Sequence, residues 1–394
     1  MKKQWMVVLG ICLVVGAGAL LVRFGAPAAP QGAPEPPPAE PPAPSAPGTP
    51  PAEPPGQDPR DAAVQAVMDG LTEGQKVGQL FFARCPDGDE AAQATQYQPG
   101  GYILFARDFA GRTPDTLRAM LDGCNRQSAV PMLFGVDEEG GTVCRVSRFA
   151  QYRAAGKFPS PQALFKAGGM EAVGQDAAEK AALLRGLGLN VNLAPVCDVS
   201  TDPDDYMYAR AFGKDAGQTA AYASAVVRET QAGGVGCVLK HFPGYGNNAD
   251  THTGVAVDNR PLSTFEESDF LPFSAGIEAG AGCVLVSHNI VPCMDGTRPA
   301  SLSPAVHAVL RDGLGFGGVI LTDDLAMDAV RQYTGGASAA VLALQAGNDM
   351  LISSDLPAQY AAVLAALQDG TLDSGVVDRA CARVLGWKYD LGLL

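Results

Sequence analysis

Lys240, His241 and the loop Phe242-Pro243-Gly244-Tyr245-Gly246, followed closely by Asp250-Thr251-His252, gather a cation, an imidazole and a carboxylate-paired histidine into one short stretch behind an apolar run. Such residues can hold a polar ligand and move a proton: the ammonium donates to oxygens, and an aspartate beside an imidazole stabilises its protonated form near neutral pH. The plain alternative is a Pro/Gly turn whose histidines satisfy backbone groups. Other polar residues share one placement. Asp137-Glu138-Glu139, Asp198, Lys240-His241, Ser287-His288 and Asp323-Asp324 each follow directly on an apolar run. A carboxylate at the end of a buried strand, as Asp323 would be, is held rigidly enough to act as a nucleophile. Asp324 and Asp328 suit helix ends better.

The runs that must position these residues are 78–82, 101–105, 132–136, 191–196, 236–239, 283–286, 318–321 and 349–352. They are continuously apolar rather than alternating, as in parallel strands buried on both faces, and Ala-rich, helix-compatible segments separate them. Eight such units predict an α/β fold, a (β/α)8 TIM-like barrel forming a single catalytic domain over 61–394. A doubly wound open sheet is the alternative. A barrel gathers the five polar clusters around one mouth, whereas an open sheet spreads them along an edge.

The formal net charge of -14 disfavours a grip on nucleic acid or anionic lipid, and a neutral or zwitterionic polymer is a better partner. Residues 1–24 carry Lys2 and Lys3, then no charge from Trp5 to Val22. That run is near the lower limit for crossing a bilayer, and its flanking charge predicts an anchor or signal segment with the rest exported and tethered outside the cytoplasm. No small-residue cleavage site follows directly, which favours an uncleaved anchor, and Ile11 is bulky for a lipidation site at Cys12. Residues 25–60 hold half of the chain's 30 prolines and predict an extended disordered linker. At about 3.1 Å per residue it reaches on the order of 100 Å. Cys197, Cys237 and Cys283 lie inside apolar runs and no C-x-x-C pair occurs, so mostly reduced, buried thiols are expected. His241, His252, His288 and His307 do not fall at ligand spacing, and no metal or organic cofactor is expected.

From about residue 62 to the C-terminus the chain resembles glycoside hydrolase family 3, and within it the single-domain β-N-acetylglucosaminidases of the NagZ type. Lys240 to Gly246 matches K-H-F-P-G-x-G, Asp137 to Arg145 is similar to D-x-E-G-G-x-V-x-R, and Leu193 to Val199 resembles A-P-V-x-D-V. Pro299 to Ser303, Leu314 to Phe316, Thr322 to Met327 and Ala346 to Met350 follow in the family's order. The resemblance implies a retaining, exo-acting hydrolase that removes terminal β-linked N-acetylglucosamine from peptidoglycan-derived or related glycans. It implies Asp323 as nucleophile and, in place of a second carboxylic acid, His252 as acid/base oriented by Asp250. It further implies that Asp137, Arg145, Arg210, Lys240 and His241 hold the hydroxyls and acetamido group of the terminal sugar. Departures occur at Tyr245, where histidine is common, in the stretch 202–208, and in a spacing to Asp250 about one residue short. Alternatives are a β-glucosidase or an N-acetylglucosaminide phosphorylase of the same family, and a non-catalytic barrel that binds wall glycans. Asp250, His252 and Asp323 together argue against the last.

Overall fold

Short apolar strands buried on both faces need helices to cover the outside, and here each strand hands over to helical segments that do so. The computed structural model describes residues 58–246, 256–334 and 338–394. The expected anchor, nearly all of the expected linker, and Asp250 and His252 lie outside the described residues. Strands β1 (Phe81–Arg84), β2 (Gly101–Leu104), β3 (Leu133–Val136), β4 (Val191–Asn192), β5 (Gly236–Phe242), β6 (Cys283–Val286), β7 (Val319–Thr322) and β8 (Leu351–Ser353) pair in parallel in the order β8-β1-β2-β3-β4-β5-β6-β7. The ring closes where Thr322 N–H donates to the Met350 carbonyl at 3.1 Å and Met350 N–H donates to Ile320 at 3.1 Å. The fold is the (β/α)8 barrel and not the open sheet.

Alternation along each strand sorts the core into two layers. Phe82, Ile103, Leu133, Leu193, Leu285, Leu321 and Ile352 form one cluster inside the barrel, together with Cys283. Phe81, Tyr102 and Phe134, their strand neighbours, pack outward under the helices. Cys197, Cys237 and Cys283 are fully buried, as small apolar residues would be.

Seven of the eight runs differ from their sequence-based bounds, four by one or two residues and three by more. Residues 78–79 end helix Glu73–Gln79, which a Thr72/Gln75 capping box starts, and the strand begins only at Phe81. The run 191–196 pairs regularly only over Val191–Asn192, because Pro195 has no N–H to give. It then rejoins β5 through a Val196–Lys240 bridge. The run 236–239 continues to Phe242, which draws Lys240 and His241 into the strand itself.

At the strand N-terminal ends, helix Pro59–Gly70 meets helix Ser374–Asp390, with Arg60 forked onto Asp390 at 2.9 and 3.1 Å. Arg60 and Asp390 share a hollow there with Gly282, Gly317 and Gly318, which precede β6 and β7. Among the described residues no helix is long and apolar enough to cross a membrane.

Candidate active site

Lys240 is 2% exposed, and an ammonium so buried needs anionic partners. Its Nζ lies 2.7 Å from Asp137 Oδ1 and 2.7 Å from Glu139 Oε1. Burial alone would lower the lysine's pKa, but the two carboxylates outweigh it and raise it. Glu139 is buried in turn, and Arg210 forks onto it with Nε at 3.0 Å and Nη2 at 2.7 Å. Burial disfavours the charged carboxylate, yet Lys240 and Arg210 overcome this and hold it well below the usual carboxylate range. The neighbouring Glu138 faces elsewhere, accepting from the Val146 N–H at 2.7 Å and from Ser147, and so pins the hairpin formed by Glu138–Gly140 and Val143–Cys144.

His241 is oriented from behind. Its Nδ1 lies 2.7 Å from the buried Asp198 carboxylate, which also accepts the backbone N–H groups of His241 (3.2 Å) and Tyr245 (2.8 Å). A proton on Nδ1 facing that carboxylate leaves Nε2 toward Arg210 Nη2, 3.4 Å away. The Tyr245 ring meets His241 edge-on at 5.5 Å, and Tyr206 lies 6.0 Å from Tyr245.

These groups open onto a cavity of about 340 Å³ at the strand C-terminal ends. Asp137, Arg145, Arg210, Lys240, His241 and Asp323 all line it, as does Asp324. Its floor is the barrel interior, through Ile103, Leu193, Leu285 and Ile352, and Phe105, Val143, Tyr206 and Met327 complete the lining. Asp323 follows β7, its N–H donating to Val286 at 3.1 Å and its Oδ1 accepting the Asp324 N–H at 2.8 Å. Asp324 is committed to the loop: its carboxylate accepts the N–H groups of Ala326 (3.0 Å) and Ser354 (3.2 Å) and the Ser354 hydroxyl. Arg145 brings a guanidinium whose buried Nε has no hydrogen-bond partner among the described residues. Ser287-His288 stays behind the wall, His288 being buried with Nδ1 2.7 Å from Ser301 and Nε2 3.1 Å from the Asp324 carbonyl oxygen.

A cavity at the barrel mouth that sets Asp137, Arg145, Arg210, Lys240 and Asp323 above an apolar floor suits a sugar, and the sequence profile of the glycosyl hydrolase family 3 N terminal domain matches residues 72–386. The chain belongs to glycosyl hydrolase family 3. This family 3 chain is a glycoside hydrolase, 32% identical over 335 residues to the beta-hexosaminidase LpqI of Mycobacterium tuberculosis, a match covering 81% of this chain and 83% of that one. Among solved structures it resembles a family 3 β-N-acetylglucosaminidase from a Paenibacillus species (31% identity, TM-score 0.75), over 82% of this chain and 63% of that one. It also resembles a family 3 glycosyl hydrolase from Mycobacterium smegmatis (32% identity, TM-score 0.71), over 81% of this chain and 97% of that one.

Six of the eight site residues expected from the family 3 pattern thus share one cavity, and Asp250 and His252 lie outside the described residues. Sequence reasoning gave no role to Glu139 or Asp198. The signal was adjacent, since Glu139 lies in the motif Asp137–Arg145 and Asp198 in Leu193–Val199, but only the closed barrel brings Glu139 onto Lys240 and Arg210. Past the loop, Arg260 binds Asp258 (2.8 Å) and Asp269 (3.0 Å), both buried. It sits directly against Gly246 (φ +55°), where a Cβ would come within 2.5 Å of its Cζ. Burial pushes the Asp269 carboxyl up to about 6, against the pull of Arg260.

Proposed function

We propose that this chain is a retaining, exo-acting β-N-acetylglucosaminidase that removes terminal β-linked N-acetylglucosamine from peptidoglycan-derived or related glycans. The observation that carries this reading is the Asp323 carboxylate on the wall of a blind cavity. A floor made of barrel core admits a chain end and stops a through-running polymer. At about 340 Å³ the cavity is at the small end of ligand pockets, in keeping with a single sugar ring. Similarity to a beta-hexosaminidase and to a β-N-acetylglucosaminidase supports the choice of sugar.

In the proposed reaction Asp323 attacks C1 as the bond from C1 to the leaving oxygen breaks and His252, held by Asp250, gives that oxygen its proton. Water then attacks C1, passing a proton to His252 as the bond from C1 to Asp323 breaks. Two inversions retain the configuration. Asp137, Arg145, Arg210, Lys240 and His241 hold the sugar through charge-assisted hydrogen bonds. To the same proposal belongs an extracytoplasmic position, with residues 1–24 as anchor and 25–60 as spacer, motivated by Lys2, Lys3 and the uncharged run to Val22.

The test is turnover of 4-nitrophenyl β-N-acetylglucosaminide against the glucoside, with a muropeptide disaccharide assayed with and without inorganic phosphate. The N-acetylglucosaminide is expected to be preferred, the first product to be the β-anomer, and Asp323→Ala to lose about a thousandfold or more in kcat. Equal turnover by wild type and Asp323→Ala would sink the assignment. A sugar 1-phosphate as main product would replace hydrolysis by phosphorolysis.

A further inference from the structure

Behind the wall of the sugar cavity lies a buried ion pair that the proposed reaction does not use. Helix Pro161–Gly186 breaks at Gly168 and Gly169, and its second part buries Val173, Asp176, Ala177, Lys180, Ala181 and Leu184. These recur at spacings of three and four, one face of a helix, so Asp176 and Lys180 enter the protein along with the apolar residues around them. The Lys180 Nζ lies 2.5 Å from Asp176 Oδ2 and 5.2 Å from the centroid of the Phe158 ring. It also donates to the Glu139 carbonyl oxygen at 2.9 Å.

Packing alone does not call for charge at this place, because apolar residues often replace a buried ion pair without loss of stability. What Lys180 adds is a donor aimed at one peptide, the one between Glu139 and Gly140. Glycine is what lets its neighbours approach so closely: φ at position 140 is +103°, and a Cβ there would stand 2.3 Å from the Pro159 carbonyl oxygen and 3.2 Å from the Lys180 Nζ. One residue earlier, Asn192 holds both backbone groups of Glu138, accepting its N–H at 3.0 Å and donating to its carbonyl oxygen at 3.2 Å. Glu139 is thus fixed at its carbonyl by Lys180, while its carboxylate grips Lys240 and Arg210, both of which line the sugar cavity. The hollow that Asp176 and Lys180 themselves line measures about 20 Å³, far too small for a sugar ring. Any effect of Lys180 on the substrate therefore runs through Glu139.

We propose that Lys180 is a positioning residue: by holding the Glu139 carbonyl oxygen it sets the carboxylate that spaces Lys240 and Arg210 for the terminal sugar, and Asp176 supplies only its counter-charge. This rests on the exo-β-N-acetylglucosaminidase reading. The test compares wild type with Asp176→Asn, Asp176→Asn/Lys180→Met and Asp176→Asn/Lys180→Gln, by turnover of 4-nitrophenyl β-N-acetylglucosaminide and by urea unfolding. All three variants lack the ion pair, but only the first keeps a donor long enough to reach the Glu139 carbonyl oxygen. Asp176→Asn leaves the ammonium without its counter-charge and is expected to be less stable than the methionine variant, yet to keep KM within about twofold of wild type. Both Lys180 variants are expected to raise KM about tenfold with kcat little changed, because the displaced groups hold the sugar rather than react with it. Stability and KM then move in opposite directions, which a merely structural lysine would not produce. Equal KM changes in all three variants, or none in any, overturn the inference and leave the glycosidase reading intact. Failure of both Lys180 variants to fold assigns the lysine to folding and overturns it as well. A wild type that does not turn over the N-acetylglucosaminide removes both.

Discussion

Glu139 touches two cations that both line the cavity, and its carboxylate is what allows Lys240 and Arg210 to remain side by side in a buried place. Replacing it by glutamine keeps the shape and removes the charge, leaving Lys240 with Asp137 alone and Arg210 facing a neutral amide. Breaking a buried ion pair from one side costs about 3–5 kcal/mol, so Glu139→Gln is expected to lower the urea midpoint strongly and to raise KM. The pH dependence has a definite sign. The folded carboxyl lies below its ordinary value of 4.5, so its contribution is fully present above that pH and is lost as the pH falls below it. Thermal unfolding of the wild type is therefore expected to drop below about pH 4.5, and that of Glu139→Gln to drop less. Parallel curves for the two proteins would remove this account of the network.

At the scale of elements, the strand-loop junctions do the positioning. Gly244 and Gly246 have φ of +124° and +55°, and added Cβ atoms would strike Asp269 and Arg260, so the stem after β5 packs directly on that ion cluster. Arg260→Met is expected to leave Asp258 and Asp269 as uncompensated buried carboxylates and to loosen the stem. The expected result is a fall in kcat of about tenfold or more with a smaller change in KM. Unchanged kcat in a folded variant, checked by circular dichroism, would separate the cluster from catalysis. The strands themselves were legible, because buried parallel strands read as continuous apolar runs, and so was the gathering of Asp137, Asp198, Lys240 and Asp323 at the C-terminal ends of those runs. The clasp was not: Arg260 and Asp269 sit in a polar stretch with no periodicity, and their pairing follows from a turn in the chain that no local pattern announces. Asp324, next to Asp323 and of the same type, suits a helix end by its sequence, whereas the structure commits it to the loop through bonds to Ala326 and Ser354.

For the molecule as a whole, the proposed tether is tested by fractionation. The full chain is expected to sediment with membranes and resist a salt wash, and a chain lacking residues 1–24 to remain in the supernatant with its glycosidase activity. A full chain recovered in the salt wash would refute the anchor. Leu391 and Trp387 crowd Gly236 at the start of β5, and Arg60 reaches Asp390 nearby, so residues at both ends of the described barrel meet on the side away from Asp323. A bead or resin fixed on the face formed by Arg60 and Asp390 would therefore leave the opening unobstructed, and material held in that way keeps its access to large, insoluble substrates.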